Sequence, residues 1–143
     1  MKRILFVCTG NTCRSPMAEL ILKNKLKLAG IKNVRVSSAG IYAAEGEKIS
    51  VNSALALKQL GIKSGSFRSK KLTMQMLKKS DFVICMTAEH KAALDGLGNI
   101  FTLSEITGLS DVADPYGGDL NTYVRTSHRL EDACNVLLEK ILQ

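Results

Sequence analysis

The sequence predicts an α/β fold: a single-domain three-layer sandwich over residues 1–143, with a four-stranded parallel sheet and helices on both faces. Three observations predict it. Short apolar runs alternate with segments of helical period along the chain, the order that builds a doubly wound sheet. The run Phe82-Val-Ile-Cys-Met86 is almost continuously apolar, as a strand covered on both faces would be. With 45% hydrophobic and 23% charged side chains, 143 residues suffice for one compact core but not two.

Lys2 to Val7 reads as the first buried strand. Ser15 fits the N-cap of the helix that follows, with Pro16 at its first position. Glu19 suits the positive end of the helix dipole. That helix runs to about Leu28, with Ala18, Ile21, Leu22, Lys25, Leu28 and Ala29 on one face, broadened by Leu20 and Leu26. Gly30 ends it. Val34 to Ala39 is a second strand, stopped by Gly40. Ser50 to Leu60 reads as a helix with Val51, Ala54, Leu55 and Leu57 inward. A basic connection, Gly65 to Lys71, leads to a short helix over Thr73–Lys79. After the third strand, Phe82–Met86, Thr87 caps a helix from Ala88 to about Leu97. Asn99–Leu103 is the fourth strand, and Ser104–Asp119 a long polar connection, a length that usually carries function. The final helix is the clearest: Tyr123, Ser127, Leu130, Ala133, Cys134, Leu137, Leu138 and Ile141 follow the i, i+3, i+4, i+7 rule.

The net charge of +7 favours anionic partners. Nucleic acid is not expected, because the lysines are scattered and few aromatic residues lie among them to stack on bases. No apolar run is long enough to span a membrane, and the opening residues are too short an apolar run for a signal peptide, so a cytoplasmic protein is expected. Its four cysteines, Cys8, Cys13, Cys85 and Cys134, are then thiols. They lack the paired spacing of a zinc site, and no metal or other cofactor is expected. A monomer is the default.

In a doubly wound sheet, ligands bind beyond the carboxyl ends of the strands. The loop after the first strand lies there, and its sequence is Cys8-Thr-Gly-Asn-Thr-Cys-Arg-Ser15. Five residues separate Cys8 from Arg14, a span that can turn its successive N–H groups inward. Those donors, the helix N-terminus and the Arg14 guanidinium would surround a tetrahedral dianion, making this a phosphate-binding loop. Thr9, Gly10, Asn11, Thr12 and Cys13 build its wall. Gly10 supplies backbone freedom, and Asn11 a left-handed turn that ties the loop down. The positive surroundings favour the thiolate of Cys8, which is placed as a nucleophile aimed at phosphorus, with Ser15 able to hydrogen-bond the sulfur. The ending Gly-Lys-Ser/Thr of a nucleotide-binding loop is missing. Attack also needs an acid for the leaving group and a base for the water that follows. His90 and His128 lie on expected helices and read as surface residues. Asp114, in Asp114-Pro-Tyr-Gly-Gly-Asp119, sits on a tight turn within the long connection.

Together these residues resemble the low-molecular-weight protein phosphatases, from Val7-Cys-Thr-Gly-Asn-Thr-Cys-Arg-Ser-Pro-Met-Ala-Glu19 through Ser38-Ala-Gly40 to Asp114-Pro-Tyr-Gly-Gly118, over essentially the whole chain. The resemblance implies a phosphocysteine intermediate on Cys8, phosphate binding by Arg14, thiol stabilisation by Ser15 and general acid/base work by Asp114. It implies loop support from Asn11 and Ser38, and phosphorylated proteins as substrates. Members acting on phosphotyrosine usually carry Ile, Leu or Val where Thr12 stands, whereas those resembling the bacterial protein-arginine phosphatases carry Thr. The expectation is therefore a phosphoarginine hydrolase, with a protein-tyrosine phosphatase as the alternative. Tyr42 and Tyr116 are expected to wall the substrate cleft. The resemblance also implies a reversible disulfide between Cys13 and Cys8, protecting the nucleophile from over-oxidation. Thioredoxin-linked arsenate reductases share the loop but need two further cysteines close together, and Met86 to Asp95 contains none. A non-catalytic phosphoprotein-binding module would be expected to lack Cys8 or Asp114.

Overall fold

The computed structural model describes all residues from Met1 to Gln143. Four strands, β1 (Lys2–Cys8), β2 (Val34–Gly40), β3 (Phe82–Cys85) and β4 (Ile100–Thr102), form one parallel sheet in the order β2-β1-β3-β4. β1 is central, and its alternation divides the core. Ile4, Phe6 and Cys8 point to one face, where they pack with helices α1 (Arg14–Leu28), α2 (Val51–Gln59) and α6 (Leu120–Leu142). Leu5 and Val7 point to the other, with Leu77 of α3 (Met74–Lys79) and with Leu94 just after α4 (Ala88–Ala93). Both faces are covered, which explains the unbroken apolar runs. The order reverses between β1 and β3, so the crevice for a ligand opens at the carboxyl ends of these two strands.

α1 ends as the sequence predicts. Gly30 takes φ 71, its N–H donates to the Lys27 carbonyl, and Ile31 N–H donates to the Leu26 carbonyl, the paired bonds of a Schellman motif. Several expectations are corrected. Ser15 does not cap α1: the helix begins at Arg14, Cys13 holds the cap position without a side-chain bond, and Ser15 lies inside the first turn. Leu28 is exposed and Met17 fully buried, because the inward stripe is Met17, Ala18, Ile21, Leu22 and Leu26. In α2, Val51 and Leu55 are exposed, and Ser53, Ala56 and Leu57 face the core. The polar Ser53 disguised that stripe in the sequence. Its burial is tolerated because the Ser50 side chain, the N-cap of α2, bonds both its N–H and its hydroxyl.

α4 stops at Ala93, short of Leu97, and β4 is only three residues long. The long connection is not all loop: α5 (Leu103–Thr107) occupies its start, closed by Gly108 at φ 74. α5 has a reciprocal capping box between Thr102 and Glu105. Thr102-Leu-Ser-Glu105 is the sequence signature of that box, a signal that the reading of Asn99–Leu103 as a strand passed over.

Candidate active site

Cys8 is the last residue of β1, and Arg14 the first of α1. Between them the chain makes a tight loop in which no backbone N–H from Thr9 to Ser15 donates to a backbone carbonyl. A run of free donors at the positive end of a fifteen-residue helix is an anion cradle. Asn11 takes the left-handed turn expected of it, at φ 55, but the freedom expected of Gly10 is not used: its φ is not positive, and a Cβ on it would meet only Thr12 Oγ1, at 3.8 Å. The indispensable glycine is Gly40, at the end of β2. A Cβ there would stand 2.5 Å from the Thr9 carbonyl oxygen and 2.8 Å from the Asn11 nitrogen, so only glycine lets β2 brace the loop. The bracing bonds run from Ile41 N–H to the Cys8 carbonyl and from Tyr42 N–H to the Thr9 carbonyl, each 3.0 Å.

Asn11 is fully buried and organises the surroundings of the Cys8 sulfur. Lys70 N–H donates to its Oδ1 at 2.8 Å, and an N–H can only donate, which fixes the amide orientation. Its Nδ2 therefore donates to Ser15 Oγ and to Ser38 Oγ, both at 2.9 Å. Ser38 in turn gives its hydroxyl hydrogen to Glu19 Oε1 at 2.6 Å, and Lys23 donates to Glu19 Oε2 at 2.7 Å. Because Ser15 Oγ accepts from Asn11, its single O–H is left for the Cys8 sulfur, 2.8 Å away. Hydrogens therefore run outward from Asn11 in two directions: through Ser38 to the Glu19 carboxylate, which also accepts from Lys23, and through Ser15 to the sulfur, where the hydroxyl delivers its hydrogen. That polarity suits a thiolate.

Arg14 is 5% exposed, and its side chain reaches the segment after α5. Its Nη1 donates to the Val112 carbonyl at 3.1 Å, and its Nη2 lies 3.7 Å from Asp114 Oδ2. The segment after α5 is thereby held over the cradle. Asp114 is half exposed, and its Oδ1 accepts from Tyr116 N–H at 3.1 Å, the turn expected of Asp-Pro-Tyr-Gly. Tyr42 and Tyr116 are each more than four-fifths exposed, at the ends of the two segments that flank the loop. Thr12 is half-buried, and the one bonding contact of its hydroxyl is with the Cys13 sulfur at 3.9 Å. The Cys13 thiol is turned toward Ser50 Oγ, 3.6 Å away, and Tyr123 Oη, 3.7 Å away. Burial, then the contact with Cys13, pushes the Tyr123 phenol up to about 12, so it keeps its proton.

His90, read from sequence as a surface residue, belongs to the site. It is buried, and its ring joins Thr9 Oγ1 (2.9 Å from Nε2) to Thr87 Oγ1 (3.1 Å from Nδ1), tying the loop after β1 to the start of α4. Burial, reinforced by the nearby Arg14 charge, lowers its pKa below the usual 6.5, so the ring is neutral and donates from one nitrogen while accepting at the other. Glu19, read only as a dipole partner, is the buried terminus of the Asn11 network. Cys85 and Cys134 take no part: burial pushes each thiol up to about 12.

A cysteine on a strand end, beneath a cradle of free N–H groups and an arginine, with a carboxylate on an opposed turn, is the arrangement of a cysteine-dependent phosphatase. Comparison with known proteins agrees. The family model for low molecular weight phosphotyrosine protein phosphatase matches residues 3–143. A protein-arginine-phosphatase from Geobacillus stearothermophilus is 40% identical, across 97% of this chain and 95% of its own. Among solved structures, a YwlE arginine phosphatase, a cysteine-to-serine mutant with a phosphorylated active-site serine, superposes with a TM-score of 0.93 at 36% identity, covering 99% of this chain and 96% of its own. A low molecular weight protein tyrosine phosphatase from T. tengcongensis gives 0.92 at 42% identity, covering 98% and 99%. The chain belongs to the low molecular weight phosphotyrosine protein phosphatase family. No helix is long and apolar enough to cross a membrane.

Proposed function

We propose that this phosphatase hydrolyses phosphoarginine in proteins. The observation that carries the choice is Thr12, whose hydroxyl stands in the cradle wall between Cys8 and Arg14 with no partner nearer than a sulfur at 3.9 Å, free for a polar leaving group. Two relatives named arginine phosphatases, from Geobacillus stearothermophilus and Bacillus subtilis, support the reading. In the proposed reaction the loop N–H groups and Arg14 hold the phosphoryl dianion. Cys8 thiolate attacks phosphorus, the P–N bond breaks, and Asp114 protonates the departing guanidine nitrogen. Asp114 leaves Arg14 for this step, a change its half-exposed position permits. Water then attacks the phosphocysteine, Asp114 takes its proton, the P–S bond breaks, and the thiolate returns to the Ser15 hydroxyl. The phosphorylated active-site serine of the YwlE mutant supports a covalent intermediate at the equivalent place.

Asn11 and Ser38 act as loop supports, and Tyr42 and Tyr116 as walls of the cleft. Cys13 is the proposed redox partner of Cys8: a peroxide oxidises the Cys8 thiolate to the sulfenic acid, and the Cys13 thiol, leaving Ser50 and Tyr123, attacks that sulfur and releases water to close the disulfide. The same reading makes residues 1–143 one domain and places it in the cytoplasm, where its four free thiols stay reduced.

The test is kcat/KM on phosphoarginine and phosphotyrosine peptides, before and after Thr12→Ile. Wild type should favour phosphoarginine, and the substitution should move the ratio toward phosphotyrosine by about a hundredfold. A wild-type preference for phosphotyrosine overturns the assignment in favour of the second reading, a protein-tyrosine phosphatase. That reading is favoured by the name of the T. tengcongensis protein.

A further inference from the structure

The outward face of α2 carries a groove that the chemistry at Cys8 does not use. Its cavity volume is about 760 Å³, and it lies between α2 and the connection that follows it. Val51, Ala54, Leu55 and Ile62 line it above the buried ring of Phe67. Val51 is 75% exposed and Leu55 41%, an apolar stripe at i, i+4 that the fold leaves outside its core. Four exposed cations, Lys48, Lys58, Lys63 and Arg68, rim the groove, and no carboxylate lines it. None of the four is in an ion pair, so their charges are free to meet a carboxylate from outside. The groove also adjoins the cradle. Ser50, next to Val51, donates its N–H to the Thr12 carbonyl at 2.9 Å, and its hydroxyl meets Cys13.

We propose that this groove is a docking site for an acidic, apolar segment of the phosphoprotein substrate, flanking the phosphorylated residue. The proposal rests on the protein-phosphatase reading of the adjacent site. An apolar floor within an unpaired cationic rim complements a strand or helix that alternates carboxylates with aliphatic side chains. Continuity through Ser50 places that segment beside Thr12, so one polypeptide reaches both sites. Nucleic acid fits poorly, because the one aromatic ring present, Phe67, is buried and offers no stacking face. No buried polar side chain lines the groove to orient a small molecule. The surface is concave, whereas a membrane seats a convex apolar face.

Two readouts separate the groove from the reaction. First, fluorescence anisotropy follows a labelled, unphosphorylated peptide of alternating glutamate and leucine, against a lysine–leucine control. Wild type should bind the acidic peptide, more weakly as salt rises, and the double variant Lys58→Glu/Lys63→Glu should lose about tenfold in affinity. Turnover of para-nitrophenyl phosphate should be unchanged in that variant, since neither lysine touches the cradle. Second, phosphopeptides carrying the glutamate–leucine tail should show higher kcat/KM than those with a glycine–serine tail, and the double variant should erase the difference. Equal binding of acidic and basic peptides, binding retained in the double variant, or no effect of the tail on kcat/KM overturns the proposal. Binding to phosphatidylglycerol vesicles with none to the peptide also overturns it and assigns the face to a membrane. If phosphotyrosine peptides are turned over in place of phosphoarginine ones with the same tail preference, the groove stands and the arginine assignment falls.

Discussion

Replacing Asn11 by alanine tests the central claim about the site, that one buried amide sets both the loop backbone and the direction of the hydrogen on Cys8. The substitution removes three hydrogen bonds of 2.8–2.9 Å, with Lys70 N–H, Ser15 Oγ and Ser38 Oγ. At about 1 kcal/mol net each, they sum to about 3 kcal/mol. Alanine must also adopt the φ of 55, where asparagine is better tolerated, and this adds about 1 kcal/mol. The expected loss, about 4 kcal/mol, is a large part of the roughly 5–15 kcal/mol that stabilises a typical domain. Two companion variants separate the terms. Asn11→Gly relieves the backbone and should lose about 1 kcal/mol less than alanine. Asn11→Asp keeps the acceptor for Lys70 but offers no donor to Ser15 and Ser38, so Ser15 can turn its O–H away from sulfur. Urea unfolding with a shared m-value measures the stabilities, and kcat/KM on para-nitrophenyl phosphate measures the effect on the thiolate. An alanine variant within about 1 kcal/mol of wild type would falsify the network account. Alanine and glycine of equal stability would remove the backbone term, and wild-type turnover by Asn11→Asp would show that the Ser15 hydrogen does not depend on Asn11.

Three further outcomes follow from the same geometry. Cys8→Ser should bring turnover below detection while calorimetric titration still registers inorganic phosphate, because the N–H cradle and Arg14 are untouched. Asp114→Asn should lower kcat by about 10²–10⁴-fold. Its urea midpoint should stay at the wild-type value, since a 3.7 Å pair with a half-exposed carboxylate stabilises little. His90 has a lowered pKa in the fold, from burial first and the Arg14 charge second, so the unfolded chain binds its proton more readily. Its contribution to stability is complete above the unfolded value of 6.5 and is lost as pH falls from there through the lowered folded value. His90→Asn should flatten the pH–stability curve across that window and reduce kcat/KM by freeing Thr9; an unchanged curve sinks the argument.

The candidate site was legible because its signal is local. A strand, a cysteine, five residues, an arginine and a helix lie within one short stretch, and the alternation of periods around it specified the sheet. Misreadings came where two local answers were equally good. In α2 both Val51-Ala54-Leu55 and Ser53-Ala56-Leu57 have helical spacing, and the more apolar stripe is the one outside. At the start of α1, Ser15 has the chemistry of a cap, but its hydroxyl is claimed by Cys8 and Asn11. His90 gave one signal only, its place three residues after Thr87, which fits a capped turn anywhere on a surface.

By itself, then, the sequence determined the parallel α/β class, the cradle with Cys8 and Arg14, and Asp114 on its turn, because chain connectivity puts these groups where their chemistry requires. Only the tertiary structure decided how they are held. Lys70 orients an amide 59 residues before it, and Ser38 and Glu19 complete the buried network. Gly40 allows the approach of β2, and His90 crosses 81 residues to reach Thr9. Those pairings depend on which strands become neighbours and on which donor each acceptor meets, and no periodicity along the chain encodes that.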